Sequence, residues 1–163
     1  LSVLLLAGCA ARAEEVATPP GMVSLEQFKE ALPSETEQEL DLEGFLALKK
    51  AGPVTVMDVR SPESFNRQHI KGSINAPLTD LTEKNLPTLA PDKTAAVVLV
   101  CDYSFMPTRM ISMTMQAYPV LKTNGYQKIY RLNLWAPKSG GPMLTSEQIA
   151  QKLELETSAA PTP

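Results

Sequence analysis

The chain has 163 residues, 44% of them hydrophobic and 20% charged, with a formal net charge of −3. That balance suits one globular domain with tails and excludes a chain too polar to fold. The small negative charge, with no basic stripe, excludes nucleic acid as a partner, because phosphate binding needs clustered Lys and Arg.

In chain order, residues 1–8 read Leu-Ser-Val-Leu-Leu-Leu-Ala-Gly, and Cys9 follows. The run is too short to span a bilayer, which takes about 20 apolar residues. It fits the apolar stretch of a secretory signal. Leu6-Ala7-Gly8-Cys9 resembles the lipobox of bacterial lipoproteins. The resemblance implies that residues 1–8 are a signal remnant and that Cys9 is acylated. The protein is then expected in the bacterial cell envelope, lipid-anchored and facing the periplasm. Ala10 stands after Cys9, and by the same resemblance this points to the outer membrane. Residues 9–24 read as the anchor and a flexible tether, small, polar and proline-containing.

The acidic residues Glu35, Glu37, Glu39, Asp41 and Glu43 read as a solvated face. Asp41 to Lys50 (DLEGFLALKK) has apolar Leu42, Phe45, Leu46 and Leu48, with a Lys pair at its end. It is predicted as a short amphipathic helix with cations at the C-terminus, stopped by Gly52-Pro53. Val54 to Val59 is a buried-strand pattern. Ser61-Pro62-Glu63 opens a helix with Pro in its first turn. Ser73 to Asn75 is a brief strand, and Leu81 to Leu86 a helix ended by Pro87. Ala95 to Val100 (AAVVLV) is a fully apolar strand. Thr108 to Val120 follows as a helix that Pro119 should kink or end. Asn124-Gly125 is a turn, and Gln127 to Leu132 a third strand. Thr145-Ser-Glu-Gln148 has capping-box spacing for a last helix. Residues 157–163 (TSAAPTP) read as a disordered tail. Apolar strands alternating with helices predict an α/β fold, a small parallel sheet with helices on both faces.

Val56 to Leu78 reads VMDVRSPESFNRQHIKGSINAPL. Asp58-Val59-Arg60, Ser61-Pro62-Glu63-Ser64-Phe65, His69-Ile70, Gly72-Ser73, Asn75 and Pro77 stand in the register of the rhodanese family, which this stretch resembles. The resemblance implies a single rhodanese-like domain over residues 25–156, with its core at about 40–142. It also implies that the apolar strand ends at a nucleophile, Cys101. The expected activity is sulfur transfer: the Cys101 thiolate takes sulfane sulfur from a small sulfur-containing anion and hands it to a thiol acceptor. The alternative is a catalytically silent binding module on the same fold, docking a partner or small anion. No cofactor or metal is expected.

The loop after the strand is Cys101-Asp-Tyr-Ser-Phe-Met-Pro-Thr-Arg109. It contains no Gly, and Arg109 lies eight positions after Cys101; common sulfurtransferases carry a Gly here and an Arg five positions on. Arg109, Ser104 and Thr108 are candidates to hold the anion, with an N-cap as the other role for Thr108. Asp58 and Arg60 are candidates to brace the site. His69, the one His, is implied to be structural. Met106, Met110 and Met113 read as core filling, with a soft Cu(I) site as the alternative.

Overall fold

The protein is described by a computed structural model covering residues 38–107 and 112–158. The signal-like run, Cys9, the tether, residues 108–111 and residues 159–163 lie outside the described residues. Five strands form one parallel sheet: β1 (Glu39–Leu40), β2 (Val54–Asp58), β4 (Ile74–Asn75), β5 (Ala96–Val100) and β6 (Lys128–Leu132), ordered β1-β6-β5-β2-β4. Two further strands, β3 (His69–Ile70) and β7 (Leu155–Glu156), pair antiparallel. The helices are α1 (Leu42–Ala51), α2 (Pro62–Arg67), α3 (Leu86–Leu89), α4 (Met113–Thr123) and α5 (Ser146–Lys152).

All five residues of β5 are buried, because it lies mid-sheet with helices over both faces. Side chains alternate across a strand. Val97 and Leu99 therefore pack with Met57, Leu86, Ala117 and Leu121 on the α3/α4 face. Val98 and Val100 pack with Leu42, Phe45 and Ile149 on the α1/α5 face. The predicted α/β class, with helices on both faces of a parallel sheet, is the observed one.

Local signals account for most element ends. The Asp41 side chain caps α1, its Oδ1 accepting from Gly44 N at 2.9 Å. A Cβ on Gly44 would stand 3.1 Å from that oxygen, so glycine permits the close cap. Thr145 and Gln148 form the expected capping box of α5. Gly125, at φ +87°, turns the chain out of α4, with Tyr126 N donating to Leu121 O.

Three expectations are corrected. First, no helix covers Leu81 to Leu86. A 3-10 turn spans Leu78–Asp80, and α3 begins at Leu86 with Pro87 inside its first turn. A first-turn residue needs no N–H for the helix, so Pro87 opens this helix rather than closing one. Second, Pro119 does not end α4, which runs on to Thr123. A proline inside a helix costs about 3 kcal/mol. Burying Tyr118 and Leu121 on the sheet contributes about 1.5–3 kcal/mol each, which outweighs that cost. Third, Glu39 does not lie on a solvated face. It pairs in β1 against β6, accepts from Asn133 Nδ2 at 2.8 Å, and faces the buried Arg131 guanidinium at 3.7 Å.

The C-terminal strand is clasped to β3 by side chains as well as backbone. Glu156 Oε1 accepts from Gly72 N at 3.0 Å and lies 3.2 Å from His69 Nε2. His69 Nδ1 contacts Phe65 O at 2.8 Å, and the imidazole stacks on the Phe65 ring. Lys71 and Glu154 pair beside them, which holds Lys71 above and Glu154 below its ordinary range.

Tyr126 anchors α3 from below, its hydroxyl donating to Ala90 O at 2.7 Å and Leu86 O at 3.0 Å. Tyr126→Phe removes the hydroxyl donor shared by Ala90 O and Leu86 O, of which Leu86 O keeps Ala90 N at 2.8 Å, and a loss of about 1–2 kcal/mol is expected in urea unfolding at neutral pH. Burial also holds the phenol above its ordinary value. The unfolded chain therefore ionises first. The hydroxyl's contribution is complete below pH ~10 and is lost as pH rises through the folded-state value. The gap between wild type and Tyr126→Phe should narrow in the most alkaline unfolding curves.

Candidate active site

The alternation that places Val97 and Leu99 toward α4 places Cys101 there too, one residue beyond the end of β5. Cys101 is a free thiol and only 2% exposed. Its Sγ lies 3.3 Å from Ser112 Oγ, and Ser112 Oγ lies 2.6 Å from Thr114 Oγ1. A hydroxyl pair at the start of α4 thus faces the sulfur.

The chain leaves Cys101 in a tight 3-10 turn over Asp102–Ser104. Cys101 N donates to Ser104 Oγ at 3.1 Å, and Ser104 N donates to Cys101 O at 2.9 Å. Among the described residues of this loop none has positive φ. The Ser104 hydroxyl ties the turn closed where a glycine could have opened other backbone conformations. The segment after β6 pins the turn from outside. Leu134 N donates to Ser104 O at 2.8 Å, and the Trp135 indole N–H donates to Tyr103 O at 2.8 Å.

On the other side of the turn lies a buried ion pair. Asp58 ends β2 and is fully buried. Its carboxylate accepts from Arg60 N at 3.1 Å, from Nε at 2.9 Å and from Nη2 at 2.6 Å. Arg60 Nη2 also donates to Gln68 O at 2.8 Å, and Nη1 stands 3.6 Å from Asp102 Oδ1. The guanidinium carbon sits 5.0 Å from the Phe105 ring centre. Burial works against this charge, but the hydrogen bonds and charges of Asp58 and Asp102 outweigh it and hold Arg60 above its ordinary value. Asn75 Nδ2 completes the bracing by donating to Asp58 O and Arg60 O.

The strand order makes this end of the sheet a crevice. From β2 the chain proceeds outward to β4, whereas from β5 it proceeds the opposite way to β6. Open α/β sheets bind ligands at such a switch, outside the strands' carboxyl ends. Both Cys101 and the Asp58–Arg60 pair stand there.

Over residues 41–134, more than half of the chain, the sequence matches the family model described as the rhodanese-like domain. The chain belongs to the rhodanese-like domain family. This rhodanese-like chain is 39% identical over 46 residues to thiosulfate sulfurtransferase PspE of Escherichia coli (strain K12). The match covers 28% of this chain and 43% of that protein, so it spans less than half the length of that curated relative. Among solved structures, the Alr3790 protein from Anabaena sp. superposes with a TM-score of 0.53 at 20% identity, over 74% of this chain and 94% of its own, and shows the same fold. A rhodanese with anions from E. coli is 27% identical, with a TM-score of 0.42 over 50% of this chain and 86% of its own.

Of the residues singled out in the sequence, Cys101, Ser104, Asp58 and Arg60 converge on this crevice. Arg109, Thr108 and Cys9 lie outside the described residues, as does Met110. Met113 packs against the α3/α4 core, while Met106 is exposed. Among the described residues no group of three or more His, Cys, Asp or Glu side chains gathers as a metal site. Ser112 and Thr114 were not singled out in the sequence. Their signal was the start of α4, which lies beyond Thr108.

The rhodanese-like site should depend strongly on the Asp58–Arg60 pair. Removing one partner of a buried pair costs about 3–5 kcal/mol, because the other charge is left unpaired. Asp58→Leu and Arg60→Met should each lose about that much in urea unfolding, and the double variant less than the sum of the two.

Proposed function

We propose that this chain is a sulfurtransferase that carries sulfane sulfur as a persulfide on Cys101. One observation carries the reading: a free cysteine at the carboxyl end of the central strand, in the switch crevice, with its Sγ against the Ser112 hydroxyl at 3.3 Å. The chain's other cysteine is Cys9, in the lipobox-like run. The family, together with the similarity to the thiosulfate sulfurtransferase PspE, supports sulfur transfer as the reaction class.

The cycle balances without an outside oxidant. The Cys101 thiolate attacks the sulfane sulfur of a donor such as thiosulfate. The donor's S–S bond breaks, and its electron pair leaves on sulfite. An acceptor thiolate then attacks the outer sulfur of the Cys101 persulfide. That S–S bond breaks in turn, and its electrons return to Cys101 as thiolate. Splitting one transfer into two steps is the gain of nucleophilic catalysis. The Ser112 hydroxyl can donate to whichever sulfur carries charge, with Thr114 donating to Ser112 behind it. Since Cys101 is only 2% exposed, donor entry requires local movement around the thiol.

We propose further, from the lipobox resemblance, that the protein sits in the bacterial envelope, facing the periplasm and held by acyl chains on Cys9, with outer-membrane sorting. The support is the Leu6-Ala7-Gly8-Cys9-Ala10 run. Palmitate labelling of cells making the protein should mark the chain and should be lost in Cys9→Ala.

A second reading has one observation in its favour. A thiol this deeply buried suits a rhodanese-fold binding module that docks a partner or small anion without chemistry. Mass spectrometry after thiosulfate treatment separates the two. Sulfur transfer requires one added sulfur atom on Cys101, absent in Cys101→Ser. Ser112→Ala should slow its formation by roughly tenfold, the value of a hydrogen bond to a charged group. An unmodified Cys101 would leave the binding module as the surviving reading.

A further inference from the structure

Beside the Cys101 turn lies a cavity of about 460 Å³, within the range of small-molecule sites. Its apolar wall is Phe105, Met106, Ile149 and Leu155, and Asp102 and Glu147 stand on it as acids. The described residues lining it do not include Cys101. The alternation of β5 explains why. The thiol packs with the α3/α4 core, whereas Phe105, Ile149 and Leu155 belong to the α1/α5 core. The 3-10 turn over Asp102–Ser104 separates the two, so the cavity is a site of its own rather than the mouth of the thiol's pocket.

Among the described lining residues, acids outnumber bases. Arg60 lines the cavity, but its guanidinium is spent on Asp58, with Asp102 a second acid beside it. Asp102 is 60% exposed at the side chain. Glu147 makes no ion pair among the described residues. Its own backbone N–H and the Thr145 hydroxyl hold its carboxyl below the usual range. Among the described lining residues, one cation, Arg60, stands with two carboxylates, Asp102 and Glu147. Met106, more than half exposed, leaves apolar surface at the rim.

We propose that this cavity binds a small organic cation with an apolar body, such as an aryl or alkyl ammonium, on the face of the turn opposite the Cys101 thiol. The apolar wall takes the body, and Asp102 and Glu147 take the charge. The proposal stands independently of sulfur transfer, since binding is measured without any sulfur donor.

Ligand-observed NMR on the full chain tests it with three probes: benzyltrimethylammonium, benzyl alcohol and benzenesulfonate. The cation should bind with a Kd on the order of a millimolar, the alcohol about fivefold more weakly, and the sulfonate more weakly still. Asp102→Asn with Glu147→Gln should bring the cation to within about twofold of the alcohol. Ala150→Trp fills the cavity from an exposed helix position and should remove binding of all three. Glu147→Gln alone should weaken only the cation. Trp135, the one Trp in the chain, hydrogen-bonds the turn at Tyr103 O, so its emission should shift as the cation binds. The proposal is overturned if the sulfonate binds best, if Ala150→Trp leaves the affinities unchanged, or if none of the probes binds at tens of millimolar.

Discussion

The functional end of the sheet is organised around one buried charge pair. Asp58 lies fully inside the protein, where an unpaired carboxylate would be prohibitively costly. Arg60, two residues on, meets it with side-chain and backbone donors and then reaches Gln68, Asp102 and the Phe105 ring. One guanidinium therefore ties the end of β2 to the entry of β3 and to the turn that follows Cys101. Asn75 adds β4 by bridging the carbonyls of both members of the pair. The geometry of the crevice follows from satisfying that one carboxylate.

The same end of the sheet presents two chemistries on its two faces. Strand alternation sends Cys101 toward α4, where two hydroxyls meet the sulfur. It sends Asp58 and the Phe105 side toward α1 and α5, where the cavity opens. A turn of three residues divides them, held by Ser104 within and by Leu134 and Trp135 without. Anything that moves this turn reaches both faces at once.

Much of the fold was legible in the sequence, for identifiable reasons. β5 is five buried apolar residues, a pattern that needs a covered parallel strand. The Asp58-to-Pro77 run specified β2, the capped start of α2 and β4 in register. Three of the four two-residue strands among the described residues were not legible. β1, β3 and β7 are too short to show a period, and their pairing comes from tertiary contacts such as Glu39 with Asn133 and Glu156 with Gly72. Proline misled twice: Pro87 opens α3, where a first-turn proline is favoured, and Pro119 rides inside α4, where local preference yields to burial. At the site, Cys101 and the Asp58–Arg60 pair could be read from the resemblance to the rhodanese family. Ser112 and the cavity could not. The first depends on where α4 begins, and the second on α5 returning to the crevice from far along the chain.

That return of distant segments governs how the protein can assemble. β1, at the start of the described residues, finds its partner only in β6, on the far side of β5 and β2 in sequence. β3 likewise waits for β7. A chain emerging residue by residue can form the β2–β5 pair early, while β1 stays unmatched until β6 has emerged and β3 until β7 has. Contacts of such sequence separation are slow to close, and unpaired strand edges invite association in the interval. A chain produced this way benefits from remaining unfolded, or from being held, until β7 is available.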